Sequence, residues 1–388
     1  MLPFIYSYRT FYTSKLQPSI KIYFSGHNER IMIRSLCRYK RPLPCGSVKN
    51  SWRTLAYEKK TPVEHVLLRP GMYIGQTESV ATDTWLYDQN IGRMTKCVVS
   101  YNPALLKIFD EILVNAADNK QRDPTMSKIV INIARLPNNS MEISVLNDGK
   151  SIPIELHKNE NIYIPELVFG HLLTGSNFND KENRLTGGSH GYGAKLTNIF
   201  SKSFILETQN GKENILYKQK WSKNMSKVST PTISASKNNQ TYTKISFEPD
   251  LQRFGGMVPK SASVVNSDKM STSTDMIDQA VQLFQRRALD IAACIAPTKV
   301  EFSYTNSTNQ GAVVGDAKNV CIPQVQSFQE YVQLFRPVEE VTPESVGLEA
   351  AIDDTSALLS AASTSAHAEI VHCRVNPRWE VAIGQSST

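Results

Sequence analysis

Glu111, Asn115 and Asp118 stand at i, i+4 and i+7 of a helical run, so they share one helix edge. A carboxylate and an amide one turn apart suit a Mg²⁺–nucleotide centre. The amide oxygen can ligate Mg²⁺, and the carboxylate can polarise a water. Taken alone, such an edge is usually just the solvated side of a helix. A second group is Gly187, Gly188, Gly191 and Gly193, which lead through Ala194 into Lys195 and an apolar-spaced run to Phe200. A glycine loop entering a helix exposes backbone N–H groups and the positive end of the helix dipole, which makes a phosphate cradle. Lys195 can add a cation. The run is not a P-loop, because no Gly-Lys-Ser/Thr closes it, and a flexible surface loop has the same composition. A third group is Asn147-Asp148-Gly149. A polar pair at a strand end can aim an amide and a carboxylate into a cleft, where the carboxylate would accept the exocyclic amine of adenine. The same tripeptide also makes a plain turn.

The flanking periodicities supply the elements that must hold these groups. Leu105, Ile108, Phe109, Ile112, Leu113 and Ala116 form one apolar stripe, which predicts a helix over residues 104–119. Residues 128–134 and 141–146 alternate like strands about a Pro137-containing turn, and Asn147 ends the second of them. A short helix is expected over 165–173. The polar, glycine-bearing stretch 174–188 follows, with Gly175, Ser176 and Asn177 at its start, and reads as a lid. Strands are expected over 203–209, 214–221 and 242–247, with an Asn210-Gly211 hairpin turn. A serine-rich linker covers 261–274, a long helix 275–295, and further strands 298–304 and from Trp379. Thr61-Pro62-Val63-Glu64 has the chemistry of a helix start, and Tyr57 lies in a polar strap before it.

Composition bounds the partners. The chain has 388 residues and a net charge of +7, but residues 1–53 hold ten Lys/Arg against the single acid Glu29. The rest is therefore slightly acidic, and global charge carries no argument for nucleic acid. The basic, nearly acid-free first fifty residues fit an organelle-import presequence, mitochondrial by composition. The competing reading is a basic arm that touches DNA or carries a nuclear signal. The six cysteines are scattered and form no CxxC, so neither a disulfide framework nor a zinc site is indicated. No run approaches the roughly 18 apolar residues of a membrane span, so no membrane partner is expected.

The ordered series of acid-and-amide helix, strand ending in Asn-Asp-Gly, lid, and glycine loop resembles the Bergerat-type ATPase fold. Four segments carry a closer likeness: EHVLLRPGMYIG from Glu64, KIFDEILVNAADNKQRDP from Lys107, LVFGHLLTGSNF from Leu167 and TGGSHGYGAKL from Thr186. These resemble the N-terminal ATPase region of eukaryotic type II DNA topoisomerases, a likeness running from about Trp52 to the C-terminus. It implies an α/β fold, an α+β sandwich of a mixed sheet covered by helices on one face. It implies ATP and Mg²⁺ as cofactors. It also implies a homodimer closing an ATP gate, with double-stranded DNA as partner of the full-length enzyme, for supercoil relaxation or decatenation. By that resemblance Glu111 is the general base and Asn115 the Mg²⁺ ligand. Asn147 and Asp148 line the base and ribose pocket, and Ser176 and Asn177 contact sugar or phosphate from the lid. Gly188, Ser189, His190, Gly191, Tyr192, Gly193, Ala194 and Lys195 wrap the phosphates. Tyr57 matches the strap tyrosine that reaches the partner's nucleotide.

The chain departs from that pattern at Ser189-His190, where the family usually has Arg-Asn. His190 can still donate to a phosphate, but the loop loses one fixed cation. Residues 1–50 are expected as a basic extension, 51–265 as the ATP-binding domain, and 266–388 as a partial transducer domain with a low-complexity insertion at 339–367. The family's Gln-Thr-Lys transducer loop and its DNA-cleaving tyrosine are not found, so an N-terminal piece is expected, at most an ATPase by itself. The alternative reading is an ATP-binding dimerisation clamp with little turnover.

Overall fold

A computed structural model of the chain describes residues 58–174, 186–188, 191–236, 238–255, 276–306, 321–336, 370–376 and 379–383. The basic extension, Tyr57, most of the expected lid, Ser189-His190, the serine-rich linker and the low-complexity insertion lie outside the described residues. The first elements are α1 (Pro62–Leu68), β1 (Val80–Asp88), β2 (Arg93–Tyr101), α2 (Pro103–Arg122), β3 (Lys128–Arg135) and β4 (Met141–Asn147). Then come α3 (Ile164–Gly170), α4 (Gly193–Ile199), β5 (Ser201–Asn210), β6 (Ile215–Ser222), β7 (Lys227–Val228), β8 (Thr232–Ala235) and β9 (Tyr242–Pro249). The rest are α5 (Met276–Cys294), β10 (Lys299–Asn306), α6 (Phe328–Gln333), β11 (Val371–Asn376) and β12 (Trp379–Ile383).

Local signals account for most element ends. A capping box starts α1: the Thr61 hydroxyl accepts from the Glu64 N–H at 3.2 Å, and the Glu64 carboxylate accepts from the Thr61 N–H at 2.8 Å. Asn102 caps α2 by accepting from the Leu105 N–H at 3.0 Å, and Pro103 occupies the first helical position. The turn between β1 and β2 closes at Gly92, whose φ of 69° is open to glycine at little cost. That hairpin was not expected from the sequence. Its exposed positions mix Ala81 and Val98 with Asp83 and Lys96, which blunts the alternation.

The strands build a mixed eight-stranded sheet in the order β10-β3-β4-β9-β5-β6-β7, with β8 pairing β6. β10 runs parallel to β3; the other pairs along this path are antiparallel. Alternation sends Ile129, Ile131 and Ile133 of β3 and Ile143 and Val145 of β4 to one face, where helices cover them. α2 lies over β4, between α4 and α5. Phe109 of α2 and Phe284 of α5 stack with ring centroids 4.2 Å apart, both fully buried. The opposite sheet face is mixed, with Lys244, Glu207 and Ser246 beside Val130, Leu146 and Ile205.

One boundary moves. The expected domain break at 265/266 put the long helix and the following strand in a second domain. Instead α5 packs on α2, and β10 extends the same sheet as the outer neighbour of β3. Residues up to Asn306 therefore complete the first sheet. Burial explains this: Ile277, Phe284 and Leu289 of α5 are buried, and α5 packs against α2 and β10. β11 and β12 form a separate antiparallel hairpin.

Phe109→Ala removes a fully buried ring of α2 from its contact with α5. Its unfolding free energy should fall by roughly 3–5 kcal/mol in urea titration. A loss below 1 kcal/mol would contradict the packing described.

Candidate functional site

α2 is amphipathic, and its apolar stripe faces the sheet. That leaves Glu111, Asn115 and Asp118 on the edge beside α4. Two side-chain bonds hold α4 there. The Thr197 hydroxyl donates to the Ile108 carbonyl of α2 at 2.9 Å, and the Asn198 amide donates to the Phe169 carbonyl of α3 at 3.1 Å.

The glycine loop then follows the α2 edge turn by turn. The N–H groups of Gly187 and Gly188 donate to the two oxygens of the buried Asp118 carboxylate, at 2.7 and 2.9 Å. A Cβ on Gly188 would lie 3.4 Å from the Asn115 amide oxygen. A Cβ on Gly193 would lie 2.7 Å from the Glu111 carboxyl carbon, so any side chain there would push that carboxylate out of its present place. Gly191 turns the chain into α4 with φ 67°. Tyr192 is half-buried, and Ala194 is buried against the core. The three acid and amide residues and the glycines, some seventy positions apart in sequence, thus form one surface. Glu111 is also ion-paired with Lys107 one turn back on α2.

Lys195 was expected at the phosphates. Its side chain is instead buried, and its ammonium donates to the carbonyls of Thr174 and Gly191, each at 2.5 Å. Burial without an anion lowers its pKa to about 8. In this state Lys195 ties the end of α3's following turn to the glycine loop.

Asn147 and Asp148 part company. Asn147 ends β4, Asp148 lies just past it, and only one of the two faces α2. Asn147 does: it is buried and accepts from the Asn119 amide at 2.7 Å. Gly149 leaves room for that amide, since a Cβ there would sit 2.7 Å from Asn119 Nδ2. Asp148 is a correction to its expected place in the cleft. Its carboxylate accepts from the N–H groups of Ser127 and Lys128, both at 2.9 Å, and caps the start of β3. There it borders a depression of about 310 Å³ on the far face of the sheet, beside Lys128, Glu207, Tyr242 and Lys244. Ser176, Asn177, Ser189, His190 and Tyr57 lie outside the described residues.

Three residues of the site escaped the sequence reading: Asn119, which meets Asn147, and two threonines. Register aligns Asn147 with Thr243 of β9, and Thr243 with Thr208 of β5. Their hydroxyls lie 3.1 Å apart, both buried, so a polar row crosses three strands beneath the asparagine pair. The only sequence signal was threonine at inward positions of otherwise apolar strands, and register was needed to read it. Among the described residues no group of three or more His, Cys, Asp or Glu is placed to hold a metal. Asn115 beside the glycine backbone fits the way Mg²⁺ is held, by few protein oxygens plus substrate phosphates.

A mixed sheet with helices on one face and an acid–amide helix edge under a glycine loop defines an ATPase class. Residues 101–253 match the family described as histidine kinase-, DNA gyrase B-, and HSP90-like ATPase. The chain belongs, more narrowly, to the ATPase regions of eukaryotic type II DNA topoisomerases. It is 38% identical to the crystal structure of the ATPase region of Saccharomyces cerevisiae topoisomerase II, with TM-score 0.61, over 85% of this chain and 71% of that one. It is 38% identical to DNA topoisomerase 2 of Pisum sativum over 89% of this chain and 20% of that protein. To mouse DNA topoisomerase 2-alpha it is 40% identical over 85% of this chain and 18% of that protein. The chain thus spans about a fifth of the length of these curated relatives.

The unfolded chain holds the Lys195 proton up to the ordinary value of 10.5, the folded chain only up to about 8. This group's contribution to stability therefore rises with pH between those values. Relative to Lys195→Met, the parent should gain on the order of 2 kcal/mol from pH 8 to 10.5, read from denaturant midpoints. A pH-independent difference would contradict the buried ammonium.

Proposed function

We propose that this chain is the ATP-binding and ATP-hydrolysing N-terminal part of a type II DNA topoisomerase. There it drives closure of a dimeric gate so that one DNA duplex can pass through another. The observation that carries the reading is the glycine loop laid along the Glu111–Asn115–Asp118 edge of α2. Family membership supports ATP as the nucleotide; DNA, the homodimer and strand passage come from the relatives' names and the family likeness.

In this reading the Asn119–Asn147 pair and the Thr208–Thr243 row line the side that takes the base. The glycine-loop amides and the start of α4 take the phosphates. Asn115 would hold Mg²⁺ through its amide oxygen, and the ion would neutralise phosphate charge. Glu111 orients a water and accepts its proton as the oxygen bonds to the γ-phosphorus. The bond to the bridging oxygen breaks, leaving ADP and inorganic phosphate. The protein contributes positioning and electrostatics rather than covalent chemistry.

Calorimetric titration with Mg²⁺ and a non-hydrolysable ATP analogue tests the pocket. The parent should bind saturably, and Asn115→Ala should lose the Mg²⁺-dependent part. Glu111→Gln should keep binding while hydrolysis falls about 100-fold or more. Equal binding by Asn115→Ala would sink the nucleotide assignment, and parent-rate hydrolysis by Glu111→Gln would sink the base assignment.

We place the protein in the mitochondrion, on the strength of ten Lys/Arg against one acid in residues 1–53. A reporter carrying residues 1–50 should enter mitochondria. Accumulation in the nucleus would favour the basic arm as a nuclear signal instead.

A further inference from the structure

Glu111 has a neighbour that the reaction does not use. Asp110 precedes it on α2, so the two carboxylates leave the helix about 100° apart. Glu111 faces Gly193, whereas Asp110 faces α5. There Arg287 donates from both Nε and Nη2 to one Asp110 oxygen, at 2.9 and 2.8 Å. Its Nη1 donates to Asp290 one turn on, at 3.0 Å.

The bonds continue away from the site. The other Asp290 oxygen accepts from Arg286 Nε at 2.7 Å and from the Tyr331 hydroxyl of α6 at 2.6 Å. Arg286 also donates to that hydroxyl at 3.1 Å and to the Trp85 carbonyl of β1 at 2.9 Å. Its guanidinium lies 4.9 Å from the centre of the Phe335 ring. Two arginines balance two aspartates, and each of the four side chains is only 18–32% exposed. Such a partly dry, mutually satisfied cluster is stiff compared with a surface ion pair. α6 is further seated by the Met94 N–H donating to the Leu334 carbonyl at 2.7 Å.

Geometry gives this cluster a consequence at the other edge of α2. A turn of the helix by about 10° would move a carboxylate at its rim by on the order of 1 Å. A displacement of that size at a reacting group is costly to rate but cheap to binding. We propose that Arg287 is a positioning residue for Glu111, and that Tyr331, through Asp290, makes the rotation of α2 depend on the seat of α6. The inference rests on the hydrolytic reading of Glu111 given above. It makes residues 321–336 an input to hydrolysis although none of them reaches the nucleotide site.

The test compares the 388-residue chain with Arg287→Lys, which keeps the charge and loses the fork, and Tyr331→Phe, which keeps the ring and loses the hydroxyl. Each is also made on Glu111→Gln. Steady-state hydrolysis, affinity for a non-hydrolysable ATP analogue and thermal midpoint are measured on all. Arg287→Lys should lower kcat about tenfold and Tyr331→Phe about threefold, with affinity within twofold of the parent and the midpoint little changed. On Glu111→Gln neither substitution should cost anything further, because the residue they position is gone. Losses that persist undiminished on Glu111→Gln, or that fall on affinity and kcat together, overturn the proposal and leave the cluster a structural tie. If Arg287→Lys fails to fold, Tyr331→Phe alone decides, because its ring stays in place. Parent-rate hydrolysis by Glu111→Gln, or no measurable turnover by the parent, instead sinks the hydrolytic reading, and the proposal with it.

Discussion

The contact between the first turn of α4 and the polar edge of α2 is the constraint on which the rest of the site depends. A Cβ at Gly193 would displace the Glu111 carboxylate, one at Gly188 would crowd Asn115, and Asp118 holds the two amides that enter the loop. Backbone comes this close to the edge where Cβ atoms are missing, and the acid and amide side chains keep their places. Everything larger arranges itself to bring the two segments together. The apolar stripe of α2 seats it on the sheet, and Thr197 and Asn198 dock α4 to α2 and α3. The Phe109–Phe284 stack closes the other side of α2 with α5.

The two flanks of α2 do different work. On the α4 side the contacts are close and depend on glycine, which suits a surface that must accept a substrate between backbone and side chains. On the α5 side a balanced set of arginines and aspartates supplies direction, since forked donors fix an orientation that apolar packing alone leaves soft. The sheet contributes the floor. Strand register alone places Asn147, Thr243 and Thr208 in one buried polar row.

Lys195 shows how burial changes the part a residue plays. A lysine after a glycine loop reads as a ligand for phosphate. In the folded chain its ammonium is out of water and joins two carbonyls, so its charge first serves to hold the loop to the turn after α3. A phosphate entering the loop would meet a cation already engaged, and binding would have to redirect it.

By itself the sequence determined most elements of the main sheet and its helices, and the site's chemical vocabulary. The stripe of α2, the alternation of β3 and β4, and the glycine run before α4 are local patterns that short-range sterics and burial dictate. Glu111, Asn115 and Asp118 share an edge because helical periodicity leaves no other choice. Tertiary structure decided which of these groups meet. Asp148 lies out of the cleft because its carboxylate accepts from the backbone at the start of β3, a contact that the tripeptide itself does not announce. Thr208 and Thr243 joined the site through register, and β10 joined the first sheet through a parallel pairing with β3 from far along the chain. The Asp110–Arg287 fork spans 177 positions. Contacts over such separations are selected by the packing of whole elements, and no local pattern encodes them.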